Sequence, residues 1–255
     1  MKLSAIVITK NAAGKLEGCL ESLKFADETI VVDGGSTDNT IVLAKKAGAK
    51  VVEVGEIGFA AGRNVGAKAA KGEWLLYVDA DERITSALAK IILERINAST
   101  HQRINSFRIY RQNIILGKWL RHGGWWPDPV HRLIKKSALK EWKGELHEYP
   151  IVDGEVGLIE EPIIHYSKNS VSEMVQNSRL FAPIEAELKF KAGHPPVKVY
   201  HFILAMWREF WARGILKSGW LDGVVGLIEI FYQMFHQFMV YSILWQMQQK
   251  NKTRS

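Results

Sequence analysis

From Met1 to about Ala98 the chain alternates short apolar runs with stretches of helical period, and this alternation restricts its fold more than any other feature. Ser4 to Ile8, Glu28 to Val32, Lys50 to Val54 and Trp74 to Val78 read as buried strands. Leu16 to Leu23, with Leu16, Leu20 and Leu23 on one face, Thr37 to Ala47 and Ala61 to Ala70 read as the helices between them. Strands joined by helices of this length predict an α/β fold with a mainly parallel, doubly wound sheet and helices on both faces. Ligands in such sheets bind beyond the carboxyl ends of the strands, and the polar clusters of this half fall there.

The fourth run, Glu73-Trp74-Leu75-Leu76-Tyr77-Val78, ends in Asp79-Ala80-Asp81-Glu82. Acids at a strand tip suit a hard cation, because Mg²⁺ or Mn²⁺ takes one or two carboxylates while substrate phosphates complete its shell. Asp79 and Asp81 point the same way if strand geometry persists. The alternative is that they cap a helix starting near Ile84 or Thr85, where acids suit the positive end of the dipole. After the first run comes Thr9-Lys10-Asn11, and after the second Asp33-Gly34-Gly35-Ser36-Thr37-Asp38-Asn39-Thr40, in which Ser36 or Thr37 can cap the next helix and Asp33 accepts hydrogen bonds at the strand tip. Gly58 to Asn64 puts Arg63 and Asn64 near a helix N-terminus, a setting that suits either a phosphate or a plain surface helix start.

A length of 255 residues with 47% apolar content supplies a real core, and a formal net charge of +7 favours anionic partners. Cys19 is the only cysteine, which excludes an intrachain disulfide and fits a cytosolic setting. The apolar run at the N-terminus is too short for a secretory signal and reads as the first strand.

Taken in order, V-V-D-G-G-S-T-D-N-T, F-A-A-G-R-N and L-Y-V-D-A-D-E resemble the N-terminal half of family 2 glycosyltransferases of GT-A fold, with a D-x-D motif at Asp79 and Asp81. The start, T-K-N-A-A-G-K-L-E-G-C-L-E-S-L, is similar too. A narrower likeness, to the short bacterial lipopolysaccharide inner-core glucosyltransferases, continues through Trp125 to Leu133, Leu146-His147-Glu148 and Ile164 to Ser167. The resemblance implies a nucleoside diphosphate sugar, such as UDP-glucose, across the strand tips. Thr9, Asn11 and Asp33 would face the nucleoside, with Arg63 and Asn64 near it or the diphosphate. Asp79 would reach ribose and metal, Asp81 would bind the metal, and His165 would complete the shell, with His147 as competitor. There is no Q-x-x-R-W segment, which argues against a processive synthase.

Inverting transfer needs a base on the acceptor hydroxyl and positive charge on the departing diphosphate. Glu148, Asp128 and Asp153 are the candidate bases. Glu148 is favoured, with Trp142 and Tyr149 expected to lower the polarity around it; Asp128, between two prolines, is second. Arg132 is the candidate for the diphosphate, against the alternative of a solvated strand-end charge. The expected organisation is a nucleotide-sugar half over 1–98, an acceptor half over 99–170 with short strands at Ser106 to Tyr110 and Val130 to Ile134, and a helical extension over 171–255.

In that extension a helix from Val171 to Lys191 is followed by Gly193-His194-Pro195-Pro196 and by apolar stretches in which Lys198, Arg208, Arg213 and Lys217 alternate with aromatic residues. This fits a helix lying on an anionic leaflet at the inner face of the cytoplasmic membrane; the alternative is a hairpin packed on the catalytic domain or on another subunit. Gln233, His236, Gln237 and Gln246 interrupt the run from Ile230 to Gln249, which argues against a full span. No nucleic-acid motif is present. The expected activity is metal-dependent inverting transfer of a hexose to a lipopolysaccharide-core or other lipid-linked acceptor. The rivals are transfer to a polyprenyl phosphate, which needs no base, and a catalytically silent nucleotide-sugar-binding scaffold.

Overall fold

The computed structural model describes residues 1–98, 103–145 and 148–252, which gather into two compact units. Unit 1 comprises Met1–Gln112 and Asp128–His165, and unit 2 comprises Asn113–Pro127 and Tyr166–Ser255. The division differs from the expected boundaries: Asn113–Pro127 leaves the acceptor half and groups with the C-terminal helices.

Unit 1 is built on strands β1 (Leu3–Thr9), β2 (Glu28–Asp33), β3 (Lys50–Glu53) and β4 (Trp74–Asp79), parallel and in the order β3-β2-β1-β4. β5 (Glu82–Arg83), β6 (Ile104–Ile115), β8 (Pro129–Lys135) and β11 (Glu155–Lys168) continue the sheet beyond β4 as β8-β6-β11-β5, and the short β7 (Lys118–Trp119) pairs with the end of β6. β8 is antiparallel to both β4 and β6. β9 (Leu139–Lys143) and β10 (Tyr149–Val152) form a separate antiparallel pair.

Helices α1 (Ala13–Ser22), α2 (Thr40–Lys46), α3 (Phe59–Ala69) and α4 (Ser86–Asn97) complete the unit. β1 is covered on both faces, which explains its unbroken apolar character. Its odd positions Leu3, Ala5 and Val7 join a core with Leu16, Leu20, Leu88 and Ile92, and Ile6 joins a second core with Ile30, Leu75 and Tyr77. Gly66 seats α3 against the sheet, since a Cβ there would stand 2.4 Å from Ile6 Cγ2. α2 begins later than the sequence suggests, because Asp38 Oδ1 accepts from the Thr40 amide at 3.0 Å while Ser36 and Thr37 are engaged elsewhere.

Unit 2 contains α5 (Val171–Lys191), α6 (Val199–Glu209), a π-helical stretch over Phe210–Leu216, a 3-10 turn over Gly219–Asp222 and α7 (Gly223–Lys252). α7 packs against both α5 and α6 around Ala182, Ala186, Ala205, Val240 and Leu244. Two polar groups of α7 are also buried here. Glu229 accepts from Lys168 Nζ at 2.7 Å, and the His236 ring bridges Ser178 Oγ and Glu185 Oε1, each at 3.0 Å.

Candidate active site

At the tips of β1 and β2 the predicted donor-binding residues close on one another. Asp33 is buried; its Oδ1 accepts from the amides of Gly35 and Ser36, and its Oδ2 from the hydroxyls of Thr9 and Ser36. Asn11, in the left-handed region at φ +50°, donates its amide to Ser36 Oγ and accepts the Thr37 amide on Oδ1, both at 2.8 Å. Thr9 and Asp33, expected to face a nucleoside, thus also shape the loop at the strand tips. Asn64 exchanges two hydrogen bonds with the Trp142 backbone and fixes β9 to α3.

At the tip of β4 an unbroken chain of opposite charges runs through unit 1. Asp128 pairs with Arg111 at 2.8 Å, and Arg111 stands 3.9 Å from Glu82. Arg132 donates through Nη2 to Glu82 Oε1 at 2.6 Å and to Asp79 Oδ2 at 2.5 Å. Arg63 donates to Asp79 Oδ1 at 2.9 Å and to Glu148 Oε1 at 2.8 Å. The elements that deliver these groups are far apart in sequence: α3 brings Arg63, β8 brings Arg132 and β6 brings Arg111. The planar guanidinium fork lets each arginine serve two carboxylates. Burial alone would raise the Asp79 carboxyl, but Arg132 and Arg63 outweigh it and hold the group well below the usual carboxylate range.

Several expectations change here. Arg132 is no solvated strand-end charge, because its side chain is 4% exposed and pairs with Asp79 and Glu82. Asp79, also an expected metal ligand, has an arginine on each oxygen. Glu148 lies beside a cation and not in a pocket of low polarity: the Trp142 ring is 4.9 Å from the Arg63 guanidinium, and Tyr149 is exposed. Glu82 and Arg111 were given no role by the sequence, and both are links in the chain. Asp153 pairs with Lys140 on the surface. His147 lies outside the described residues.

Asp81 follows the end of β4 in a turn, so strand alternation does not carry it to the side of Asp79. It does not cap α4 either, since Thr85 accepts the Leu88 amide at 3.1 Å and performs that task. Its neighbours are Lys15, at 3.8 Å, and His165, whose Nε2 stands 3.6 Å from Oδ1. The pairing of β11 with β5, which sets His165 opposite Glu82, brings the imidazole there. No three His, Cys, Asp or Glu side chains among the described residues converge as a metal cage. A carboxylate and an imidazole, 27% and 13% exposed, fit a cation that draws its remaining ligands from a phosphate and water.

Comparison with known proteins identifies the family. Residues 4–150 match the family described as Glycosyl transferase family 2. The lipopolysaccharide core biosynthesis glycosyltransferase LpsC of Rhizobium meliloti is 25% identical over 259 residues, covering 96% of this chain and 93% of the relative. Among solved structures, S. aureus TarS 1-349 in complex with UDP-GlcNAc has a TM-score of 0.52 at 16% identity, covering 100% of this chain and 93% of that one. Glucosyl-3-phosphoglycerate synthase from Mycobacterium tuberculosis, in complex with Mn²⁺, UDP and glucosyl-3-phosphoglycerate, has a TM-score of 0.50 at 18% identity, covering 76% and 81%.

Proposed function

The chain belongs to glycosyl transferase family 2 and carries the GT-A fold, and from that premise we propose that it moves a hexose from a UDP-sugar, with inversion, onto a lipopolysaccharide-core or other lipid-linked saccharide at the inner face of the cytoplasmic membrane. The observation that carries the reading is the juxtaposition of Asp81 with His165 just past the end of β4, whose Asp79 also meets the Arg63 that pairs with Glu148. The acceptor class is supported by the likeness to LpsC, and the uridine nucleotide by the complexes of the two structural neighbours.

Asp81 and His165 would hold Mg²⁺ or Mn²⁺, which when bound neutralises charge on the diphosphate. Glu148 acts as the base. Both of its contacts with Arg63 fall on Oε1, so Oε2 is the oxygen that receives the proton of the acceptor hydroxyl. The acceptor oxygen then bonds to the anomeric carbon as the bond to the diphosphate breaks, in one in-line displacement. Asp128 is the alternative base, and its pairing with Arg111 at 2.8 Å gives it a similar setting at the other end of the chain. Arg63 Nη1 is buried with no hydrogen-bond partner among the described residues, which leaves a donor for an incoming anion.

The test is thermal unfolding of the purified protein with a panel of nucleotide sugars, with and without Mn²⁺. UDP-hexoses should raise the midpoint more with Mn²⁺ than without, and Asp81→Asn should remove the Mn²⁺-dependent part. A protein that responds to no nucleotide sugar, or transfers at full rate in excess chelator, would overturn the reading.

A further inference from the structure

We infer that α6 and α7 form a lipid-binding face that lies flat in an anionic leaflet. The inference deepens the membrane part of the preceding reading and rests on it for the leaflet concerned. Val199, Ile203, Trp207, Trp211 and Ile215 recur every fourth residue along α6 and the π-helical stretch, and all are exposed. Val224, Leu227, Phe231, Phe235 and Phe238, at spacings of three or four residues along α7, are exposed too. Val199 is 77% exposed, Trp207 55% and Phe231 59%, so large apolar side chains face outward on both helices. A soluble monomer rarely leaves such a surface uncovered.

Charge selects the occupant. Between Lys198 and Lys250 the exposed charged residues are Lys198, Arg208, Lys217 and Lys250, all basic. The acids of the segment are withdrawn: Glu209 pairs with Arg213 at 3.0 Å, Asp222 is buried against the amides of Arg121 and His122, and Glu229 is buried on Lys168. A second copy of this chain seated on the same face would bring basic groups against basic groups. An anionic lipid surface brings the complementary sign, with an apolar layer beneath it for Trp and Phe.

The same unit explains why the face lies on the membrane and does not cross it. Gly219–Lys250 is long and apolar enough for a span by length and composition. Its Glu229 and His236, however, are tied to Lys168, Ser178 and Glu185, and the α5 helix that holds two of these partners exposes Arg179 and Glu187. A spanning α7 would either break these bonds or draw the charges of α5 into hydrocarbon.

The test uses the full chain, sedimented with vesicles of phosphatidylglycerol in phosphatidylcholine or of phosphatidylcholine alone. Binding should be strong on the anionic vesicles and weaker on the neutral ones, should fall as salt rises, and should be reversed by alkaline carbonate. Trp207→Ser with Trp211→Ser should weaken it severalfold, and Arg208→Glu with Lys217→Glu by roughly tenfold or more on anionic vesicles only. Retention after carbonate would overturn the flat placement. A chain that ignores anionic vesicles, or whose tryptophan variant changes mass by light scattering instead of partition, would overturn the lipid assignment and make the face a contact between copies. The nucleotide-sugar response, measured without vesicles, separates these failures from failure of the transfer reading.

Discussion

Glu148 and Asp128 terminate opposite ends of one chain of ion pairs, Glu148 on Arg63 and Asp128 on Arg111, with Asp79, Arg132 and Glu82 between them. The two candidate bases are thus parts of one electrostatic object, and substitutions at either end report on different things.

Glu148→Gln keeps the shape and a neutral acceptor for Arg63. It should lower the chemical step by about 10²- to 10⁴-fold while nucleotide-sugar affinity stays near that of the parent. Asp128→Asn should act mainly through Arg111 and cost much less. Single-turnover rates beside nucleotide-sugar titrations check this, and the reverse ranking would move the base to Asp128.

Glu82 is fully buried on Arg132. Breaking a buried pair costs up to about 3–5 kcal/mol, and Glu82→Gln would leave Arg132 paired with Asp79. Glu82→Gln should therefore lose stability on that scale in urea unfolding, whereas Asp81→Asn, which is 27% exposed, should lose little. Equal midpoints for the two variants would show that the chain is not held in solution.

Stability should fall with acid in two stages. His131 is driven down to about 4, first by burial and then by Arg108, so its folded pKa lies below the unfolded value near 6.5. Between those values the unfolded chain binds the proton and the folded one does not, so stability falls as pH drops, with a slope of up to about 1.4 kcal/mol per pH unit. Asp79 adds a second loss. Its folded pKa is depressed, so the stability it contributes is present above about pH 4 and disappears as pH falls further. Chemical denaturation at stepped pH reads both, and His131→Gln should flatten only the upper stage.

Gly66→Ala would press a methyl group into Ile6 and should cost about 1–3 kcal/mol. Because α3 also carries Arg63, the transfer rate should fall with it. Gly14→Ala, on α1 with nothing within 4 Å of the new Cβ, should instead be neutral or gain up to about 1 kcal/mol. Melting curves of the two variants test how tightly α3 is seated.

The parallel half of unit 1 was legible because every element in it announces itself locally. Apolar runs of strand length alternate with helical spacing, and the strand tips collect the polar residues. The ion-pair chain was not legible. Arg63, Arg111 and Arg132 lie on α3, β6 and β8, and no local pattern says that they meet. Glu82 stood in plain view beside Asp81, yet nothing in its neighbours marks it as the buried acid of the set. Nor does any local pattern show that Thr9 and Asp33 bond to each other at the strand tips. In the tail, aromatic and basic residues pointed to an interface, but α7 is apolar on its packed and its outer sides alike. Period alone therefore could not say which side water sees.

The ion-pair chain begins and ends on a carboxylate. Among the described residues its ion pairs join four acids, Asp128, Glu82, Asp79 and Glu148, to three arginines, Arg111, Arg132 and Arg63, so this set carries one more negative than positive charge. A nucleoside diphosphate arriving beside these carboxylates adds further negative charge, so donor uptake should draw cations from the surrounding solution. Apparent donor affinity is then a property of the electrolyte as much as of the protein. Titrated at constant ionic strength, it should rise with the divalent fraction and fall when a large monovalent cation takes its place.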